Sequence, residues 1–287
     1  MNFLTIFALV LPCIFANPTP IVLWHGMGDN ANGLNRIKQV IETEIPGVYV
    51  KSLMIGNNVF EDMLNGFLMH PNDQIEFACN LIKSDPNLAN GYYGIGFSQG
   101  SQFIRGLGQR CSAPQMKGLI SIGGQQQGVY GIPFCNPEFL QLCDLVRPVV
   151  THFAYDSFQS FLVQATYWHD ALNATNYANE NTFLADLNNE AYINQTYVDN
   201  LQALEKMVLV MFENDNMVIP SESQWFGFYK PGQGFEVETL QESKTYTRLG
   251  LDKLGSEGKL HFLSVPGKHL QFSTQWFIDN IINVHLK

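Results

Sequence analysis

The chain reads as an α/β protein with a mostly parallel central sheet and helices on both of its faces. Short β-rich apolar runs recur along it, and helix-length amphipathic segments separate most of them. A third observation places the chemistry. The pentapeptide Gly96-Phe97-Ser98-Gln99-Gly100, a G-x-S-x-G pattern, joins one of those runs to one of those helices.

At the N-terminus, Phe3 to Phe15 is an almost unbroken apolar run that closes on Cys13-Ile14-Phe15-Ala16 before Asn17-Pro18. It is shorter than the roughly 20 residues of a bilayer span and ends on a small residue, so it predicts a secretory signal peptide. The leader covers residues 1–16. Ile21 to Trp24 is the first strand and Ala31 to Glu44 the first helix. Val48 to Val50, Tyr92 to Phe97, Gly118 to Ile122, Met207 to Phe212 and Leu260 to Val265 supply further strands. Phe60 to Lys83, Ser98 to Gln109 and Gln271 to Val284 are helix-length amphipathic segments. The alternation suits a parallel sheet covered on both faces, with catalytic groups at the carboxyl ends of its strands.

That alternation lapses from Gln125 to Leu204, a stretch holding two cysteines, both glycosylation sequons and aromatic-rich helical patterns such as Phe153 to Trp168. Residues 17–124 and 205–287 are expected to form two parts of one core, and residues 125–204 a mainly helical insertion over the active-site edge.

Hydrophobic residues make up 46% of the 287 and charged residues 15%, the balance of a globular chain and not of a disordered one. A formal net charge of −10 offers no basic face to phosphates and argues against nucleic acid as a partner. Beyond the leader no apolar run reaches about 18 residues, so no transmembrane anchor is expected. Losing Cys13 with the leader leaves Cys79, Cys111, Cys135 and Cys143, an even set on an oxidising route with its connectivity open. No C-x-x-C or other metal-ligand spacing occurs, and neither metal nor cofactor is expected. Asn173-Ala174-Thr175 and Asn194-Gln195-Thr196 make Asn173 and Asn194 candidate glycosylation sites.

A serine is a poor nucleophile at neutral pH and needs a base, itself oriented by an acid. On a strand–turn–helix elbow of this kind, the order along the chain is serine, acid, histidine. Met207 to Phe212 runs into Glu213-Asn214-Asp215, which sets Asp215 just past a strand end. His269 follows the strand ending at Val265, in the loop Pro266-Gly267-Lys268-His269 before the last helix. Ser98, Asp215 and His269 are therefore the predicted nucleophile, acid and base.

The rivals are placed less well. His261 lies inside a strand, His25 precedes the serine, and His70, His152, His169 and His285 lack a strand-end setting. Glu213 and Asp144 are the alternative acids. Two backbone N–H groups should meet the negative charge of the tetrahedral intermediate. One is Gln99, immediately after the serine; the other is Met27, in the loop His25-Gly26-Met27-Gly28-Asp29 after the first strand.

With these residues in place, the chain resembles the palmitoyl-protein thioesterases of the α/β-hydrolase superfamily, the lysosomal type-1 enzymes in particular. Trp24 to Asp29, Gly96 to Gly100, Ile122-Gly123-Gly124-Gln125, Tyr167 to Asp170, Phe183 to Asp186, Trp225 to Tyr229 and His269-Leu270-Gln271 carry the resemblance. It covers nearly the whole mature chain. Carried over, the family's nucleophile, acid, base and oxyanion donors fall on Ser98, Asp215, His269, Met27 and Gln99. Its disulfides imply Cys79–Cys111 and Cys135–Cys143, and its acyl groove falls on the 125–204 insertion.

The chain departs from relatives in lacking a cysteine pair after Asp29 and in carrying Ser101 after Gly100. It also lacks a sequon beside Asp215, and Asn173 is peculiar to this chain.

The resemblance implies hydrolysis of palmitoyl and similar fatty acyl thioesters from S-acylated cysteines of proteins or peptides, in the lysosome, reached by the secretory route. A secreted lipase or carboxylesterase acting on oxygen esters would use the same residues. A lipid-carrying pseudo-hydrolase is the non-enzymatic alternative, and an intact serine, acid and histidine weigh against it.

Overall fold

The computed structural model describes residues 17–131, 152–155 and 157–287. The leader expected over residues 1–16, Cys135, Cys143 and Asp144 lie outside the described residues.

Eight strands are described: β1 (Ile21–Trp24), β2 (Val50–Ser52), β3 (Tyr92–Phe97), β4 (Met116–Ile122), β5 (Lys206–Phe212), β6 (Phe228–Tyr229), β7 (Val237–Glu238) and β8 (Leu260–Val265). Six of them form one sheet in the order β2-β1-β3-β4-β5-β8, with every neighbouring pair parallel. The chain order reverses beside β1 and β3, and a crevice at such a reversal is where ligands bind on open parallel sheets. β6 and β7 pair antiparallel outside it.

The period-two alternation of a strand sends successive side chains to opposite faces. Val22 and Trp24 of β1 join Met207 and Leu209 of β5 in one core. Ile21 and Leu23 join Val208 and Val210 in the other. Helices α1 (Asn35–Glu44), α2 (Val59–Leu68), α3 (Pro71–Lys83) and α4 (Gln99–Arg110) follow in chain order. Phe103, Ile104 and Leu107 of α4, with Ile75 and Ile82 of α3, fill the first core. Ile41 of α1 and the C-terminal Phe277, Ile281 and Ile282 fill the second. Each such side chain removed from water contributes about 1.5–3 kcal/mol, so the two faces hold the strand ends in fixed register.

The helical segment expected from Phe60 to Lys83 is two helices. Pro71 cannot continue α2, because it lacks the N–H, but it suits the first turn of α3. His70 Nδ1 accepts the Asn72 N–H at 3.2 Å and caps that helix. β2 starts two residues later than Val48, although Tyr49 O still accepts the Ile21 N–H at 2.8 Å.

The run from Phe153 to Trp168 starts in a helical turn at Phe153 and Ala154 and goes on in two tighter 3-10 turns, Ser157–Ser160 and Val163–Tyr167. Past Gln271 the chain forms a short α-turn, Thr274–Phe277, continued as a π-helix over Ile278–Leu286. The α-helices Ala174–Glu180, Leu184–Leu187 and Gln195–Gln202 also lie between β4 and β5.

Arg105 anchors that stretch to the core. It is fully buried in α4 and donates to Gln126 Oε1 at 2.6 Å, Gln109 Oε1 at 2.9 Å and Asn188 Oδ1 at 2.8 Å. Burial pulls its pKa down to about 9. A disulfide joins Cys79 of α3 to Cys111 at the end of α4, with Cα atoms 5.8 Å apart.

Candidate active site

Ser98 lies between β3 and α4 with φ 52° and ψ −123°, a left-handed conformation that a non-glycine residue adopts only under constraint. The turn closes so tightly that a Cβ on Gly96 would lie 2.3 Å from Ser101 Cα, and one on Gly100 2.3 Å from His25 O. Neither atom has anywhere to go, so both glycines are required by the close approach of backbone to backbone. Ser101 adds a lock. Its Oγ–H donates to Gly96 O at 2.6 Å, and its Oγ accepts the Ile122 N–H at 3.1 Å, tying the elbow to β4.

The structure brings the three predicted residues together. His269 Nε2 lies 2.8 Å from Ser98 Oγ, and His269 Nδ1 lies 2.6 Å from Asp215 Oδ2. Asp215 is shielded from solvent, whereas the His269 ring keeps 15% of its surface open. Its carboxylate is held from three further sides. Met217 and Val218 donate their N–H groups to Oδ1 at 2.8 and 3.0 Å, and Gln224 Nε2–H donates to Oδ2 at 3.1 Å.

Gln224 was not singled out from sequence. It is fully buried, and its Oε1 accepts the Phe212 N–H at 3.0 Å, which ties it to the end of β5. A glutamine nine residues past the acid carries no local signal; only the fold places it.

The rival residues go elsewhere. Glu213, next to the end of β5, accepts the Ser264 hydroxyl at 2.7 Å on an exposed surface. His261 stays in β8 with its ring 5.0 Å from that of His285, and burial lowers the His285 pKa to about 4. His169 is stacked between Tyr177 and Phe228 at 3.7 and 4.0 Å and donates Nδ1–H to Gln127 O at 2.7 Å. Burial drags its pKa to about 3. His70 caps α3, and His152 packs against Phe153 at 5.5 Å. His25 pairs with Asp62 at 3.0 Å.

A cavity of about 410 Å³ opens beside this group, lined by Ser98, His269, Met27 and Gln99 from the core. Its other walls include Phe158, Leu162, Ala165 and Trp168 from between β4 and β5, and Val218 from beyond β5. A volume in the range of roughly 300–1,000 Å³ and apolar walls are those of a small-ligand pocket. Three rings lead outward from it: Phe153, Phe158 and Phe161 are exposed, with neighbouring centroids 5.4 and 5.0 Å apart.

Gln99 is fixed at the floor. Its Nε2–H donates to Gly66 O at 2.8 Å, and its Oε1 accepts the Tyr167 hydroxyl at 3.2 Å. As the first residue of α4 it has no intrahelical acceptor for its own N–H.

Among the described residues there is no cluster of three metal-ligating side chains, and no helix is long and apolar enough to cross a membrane. Asn173 and Asn194 are exposed. Each caps a helix through its side-chain oxygen, accepting Asn176 N–H at 3.0 Å and Thr196 N–H at 3.1 Å.

A six-stranded parallel sheet with a serine on a strained strand–helix elbow, meeting a histidine and a carboxylate from later strand ends, defines an α/β-hydrolase. The family model for palmitoyl protein thioesterase matches residues 20–269. The chain belongs to the palmitoyl-protein thioesterase family of hydrolases. It is similar to "Palmitoyl-protein thioesterase 1" of Caenorhabditis elegans, with 45% identity over 277 residues that cover 93% of each chain. "Palmitoyl-protein thioesterase 3" of Dictyostelium discoideum is 36% identical over 272 residues, covering 93% of this chain and 90% of the relative. "Lysosomal thioesterase PPT2" of Homo sapiens is 25% identical over 270 residues, covering 91% and 85%.

Proposed function

We propose that this protein is a serine thioesterase that removes long-chain fatty acyl groups, palmitoyl above all, from S-acylated cysteines of proteins or peptides. The observation that carries the reading is the Ser98–His269–Asp215 chain at 2.8 and 2.6 Å, opening on the apolar cavity.

Ser98 Oγ attacks the thioester carbonyl carbon as its proton passes to His269 Nε2. Asp215 accepts from His269 Nδ1–H, fixes the tautomer and stabilises the imidazolium. The N–H groups of Met27 and Gln99 meet the oxyanion. The C–S bond then breaks and the cysteine leaves as a thiolate that takes the Nε2 proton from the His269 imidazolium and restores the base. Its parent thiol has an ordinary pKa of about 8.5, far below that of an alcohol, so departure needs little help from an acid. Water attacks the acyl-enzyme, giving its proton to His269. The collapsing intermediate frees the fatty acid, and Ser98 recovers its proton.

The acyl chain lies along the cavity under the residues 125–204, which act as the lid of a two-part core formed by residues 17–124 and 205–287. Each methylene buried there adds about 0.8 kcal/mol, roughly fourfold in affinity. Residues 1–16 direct the chain into the secretory pathway, where Cys135 and Cys143 form a second disulfide beside Cys79–Cys111. Asn173 and Asn194 carry glycans, and the destination is the lysosome. Capping through Oδ1 leaves Nδ2 of each asparagine free for attachment.

The test is steady-state hydrolysis of a palmitoyl-cysteine peptide beside its palmitoyl-serine counterpart, by wild type and Ser98→Ala. Strong preference for the thioester, lost in the variant, supports the proposal. Equal or faster cleavage of the oxygen ester transfers the function to a lipase or carboxylesterase. Near-normal turnover by the variant removes Ser98 as nucleophile.

A further inference from the structure

Behind the loop that follows β1 lies a second histidine–carboxylate pair, which the proposed reaction leaves unused. His25 is 4% exposed and Asp62, in α2, is fully buried. His25 Nε2 lies 3.0 Å from Asp62 Oδ1, and His25 Nδ1 lies 2.9 Å from Gly26 O. A carbonyl oxygen only accepts, so Nδ1 carries a hydrogen. Asp62 is used as an acceptor at both oxygens: Oδ1 takes the Ile55 N–H and Oδ2 the Ala31 N–H, each at 2.7 Å. With acceptors at both nitrogens, the ring is an imidazolium. Burial opposes that charge, and the hydrogen bond and charge of Asp62 favour it. The Gly26 carbonyl and Asp29 act in the same direction, and the His25 pKa is raised.

The carbonyl that His25 grips is one end of the Gly26–Met27 peptide. A trans peptide is planar, with its C=O and N–H pointing opposite ways. Holding Gly26 O against the ring therefore turns the Met27 N–H away from it. The cation also polarises that peptide and strengthens its N–H as a donor. Asp29 N–H shares the same carbonyl at 3.3 Å, which closes the loop on itself. The loop has no slack on its other side. A Cβ on Gly26 would lie 3.2 Å from Ser98 Cβ and 3.3 Å from Phe97 O.

We infer that His25, doubly protonated between Asp62 and the Gly26 carbonyl, is the positioning residue that aims the Met27 N–H at the oxyanion formed on Ser98. This rests on the proposed serine mechanism. Asp62 is the strut: through one carboxylate it joins α2, the turn before α1 and the loop after β2 to the ring.

The test has two arms. In the full-length wild type, ¹⁵N NMR of the His25 ring at pH 7 should show both nitrogens protonated; one bare nitrogen overturns the inference. In His25→Gln, kcat for a palmitoyl-cysteine peptide should fall about 10- to 100-fold with KM within twofold, short of the roughly 10²–10³-fold loss on deleting a donor outright. The rate of Ser98 phosphonylation by an alkyl fluorophosphonate should fall in parallel, while the final labelling stays near one per chain. Unchanged kcat per labelled site overturns the inference, as does a loss explained wholly by fewer labelled sites. Failure of His25→Gln to fold leaves the decision to the ring-nitrogen measurement. Absence of Ser98 labelling in the wild type removes the serine mechanism instead, and with it the premise.

Discussion

Among the described residues, two histidines each meet a buried aspartate, and the two pairs are suited to opposite tasks. His25 meets Asp62 at 3.0 Å, and His269 meets Asp215 at 2.6 Å. The carboxylates do not distinguish them, since both are buried and both accept backbone N–H groups. The second ring nitrogen does. That of His25 faces a carbonyl, which only accepts and makes the ring a fixed cation. That of His269 faces the Ser98 hydroxyl, which donates and leaves the ring a base. Exposure follows the same division, with His25 sealed in and His269 opening on the cavity. A histidine beside a carboxylate is therefore not a catalytic signature until the partner of its other nitrogen is known.

Removing that other partner is the strongest way to break the comparison. Ser98→Ala takes away the hydroxyl on His269 Nε2, and kcat for a palmitoyl thioester should fall at least about 10⁴-fold, because the three residues act as a unit. Palmitate binding, read by calorimetry, should stay within twofold, since the cavity walls are untouched. Loss of both would mean that Ser98 shapes the cavity as well as attacking.

Asp215→Asn should come next, at about 10³- to 10⁴-fold in kcat. An amide NH₂ in place of Oδ2 would face His269 Nδ1–H, forcing the ring to turn or shift its proton to Nε2, where Ser98 needs a bare nitrogen. KM should move little. A loss under tenfold would show that the ring is oriented by its packing and not by the carboxylate.

How much of this was legible in the chain divides along the same line. Strand runs such as Ile21 to Trp24 and Tyr92 to Phe97 stand at their expected residues, because a strand sealed between two helical layers must be apolar throughout. Ser98, Asp215 and His269 each sit beside such a run, so their placement could be read locally. Asp62 could not. It is 37 positions from His25 within a helix, and only the packing of α2 against the end of β1 joins them. The same holds for Gln224. Between Phe153 and Trp168 the helical pattern is met by short pieces for a different reason: these aromatic residues line a cavity and its rim, and cavity walls do not require an unbroken α-helix.

Gln224→Ala tests a smaller effect on the catalytic pair. Asp215 keeps Met217 and Val218 as donors, so kcat should fall only about tenfold. The Phe212 N–H loses its acceptor inside the core, which should cost about 1–3 kcal/mol of stability by urea unfolding. Loss of stability without any change in kcat per folded molecule would assign Gln224 to the core alone.

The smallest effect on activity belongs to a carboxylate with no histidine beside it. Burial pushes Asp85 upward, but the Lys51 ammonium at 2.9 Å, the Tyr49 hydroxyl at 2.8 Å and the Asn87 N–H at 3.1 Å outweigh it. Together they hold its carboxyl at about 2. A depressed folded pKa means that the contribution is fully present above the ordinary value near 3.9 and is lost as pH falls through about 2. The tie between β2 and the turn before β3 therefore stays ionised throughout a mildly acidic compartment. Asp85→Asn should lower Tm at pH 5 and at pH 7 by similar amounts, and the gap from wild type should narrow below about pH 4 and close near pH 2, while kcat at pH 5 stays unchanged. A gap that closed already at pH 5 would mean that Lys51 and Tyr49 do not hold the charge. A fall in kcat would show that the far edge of the sheet reaches the elbow after all.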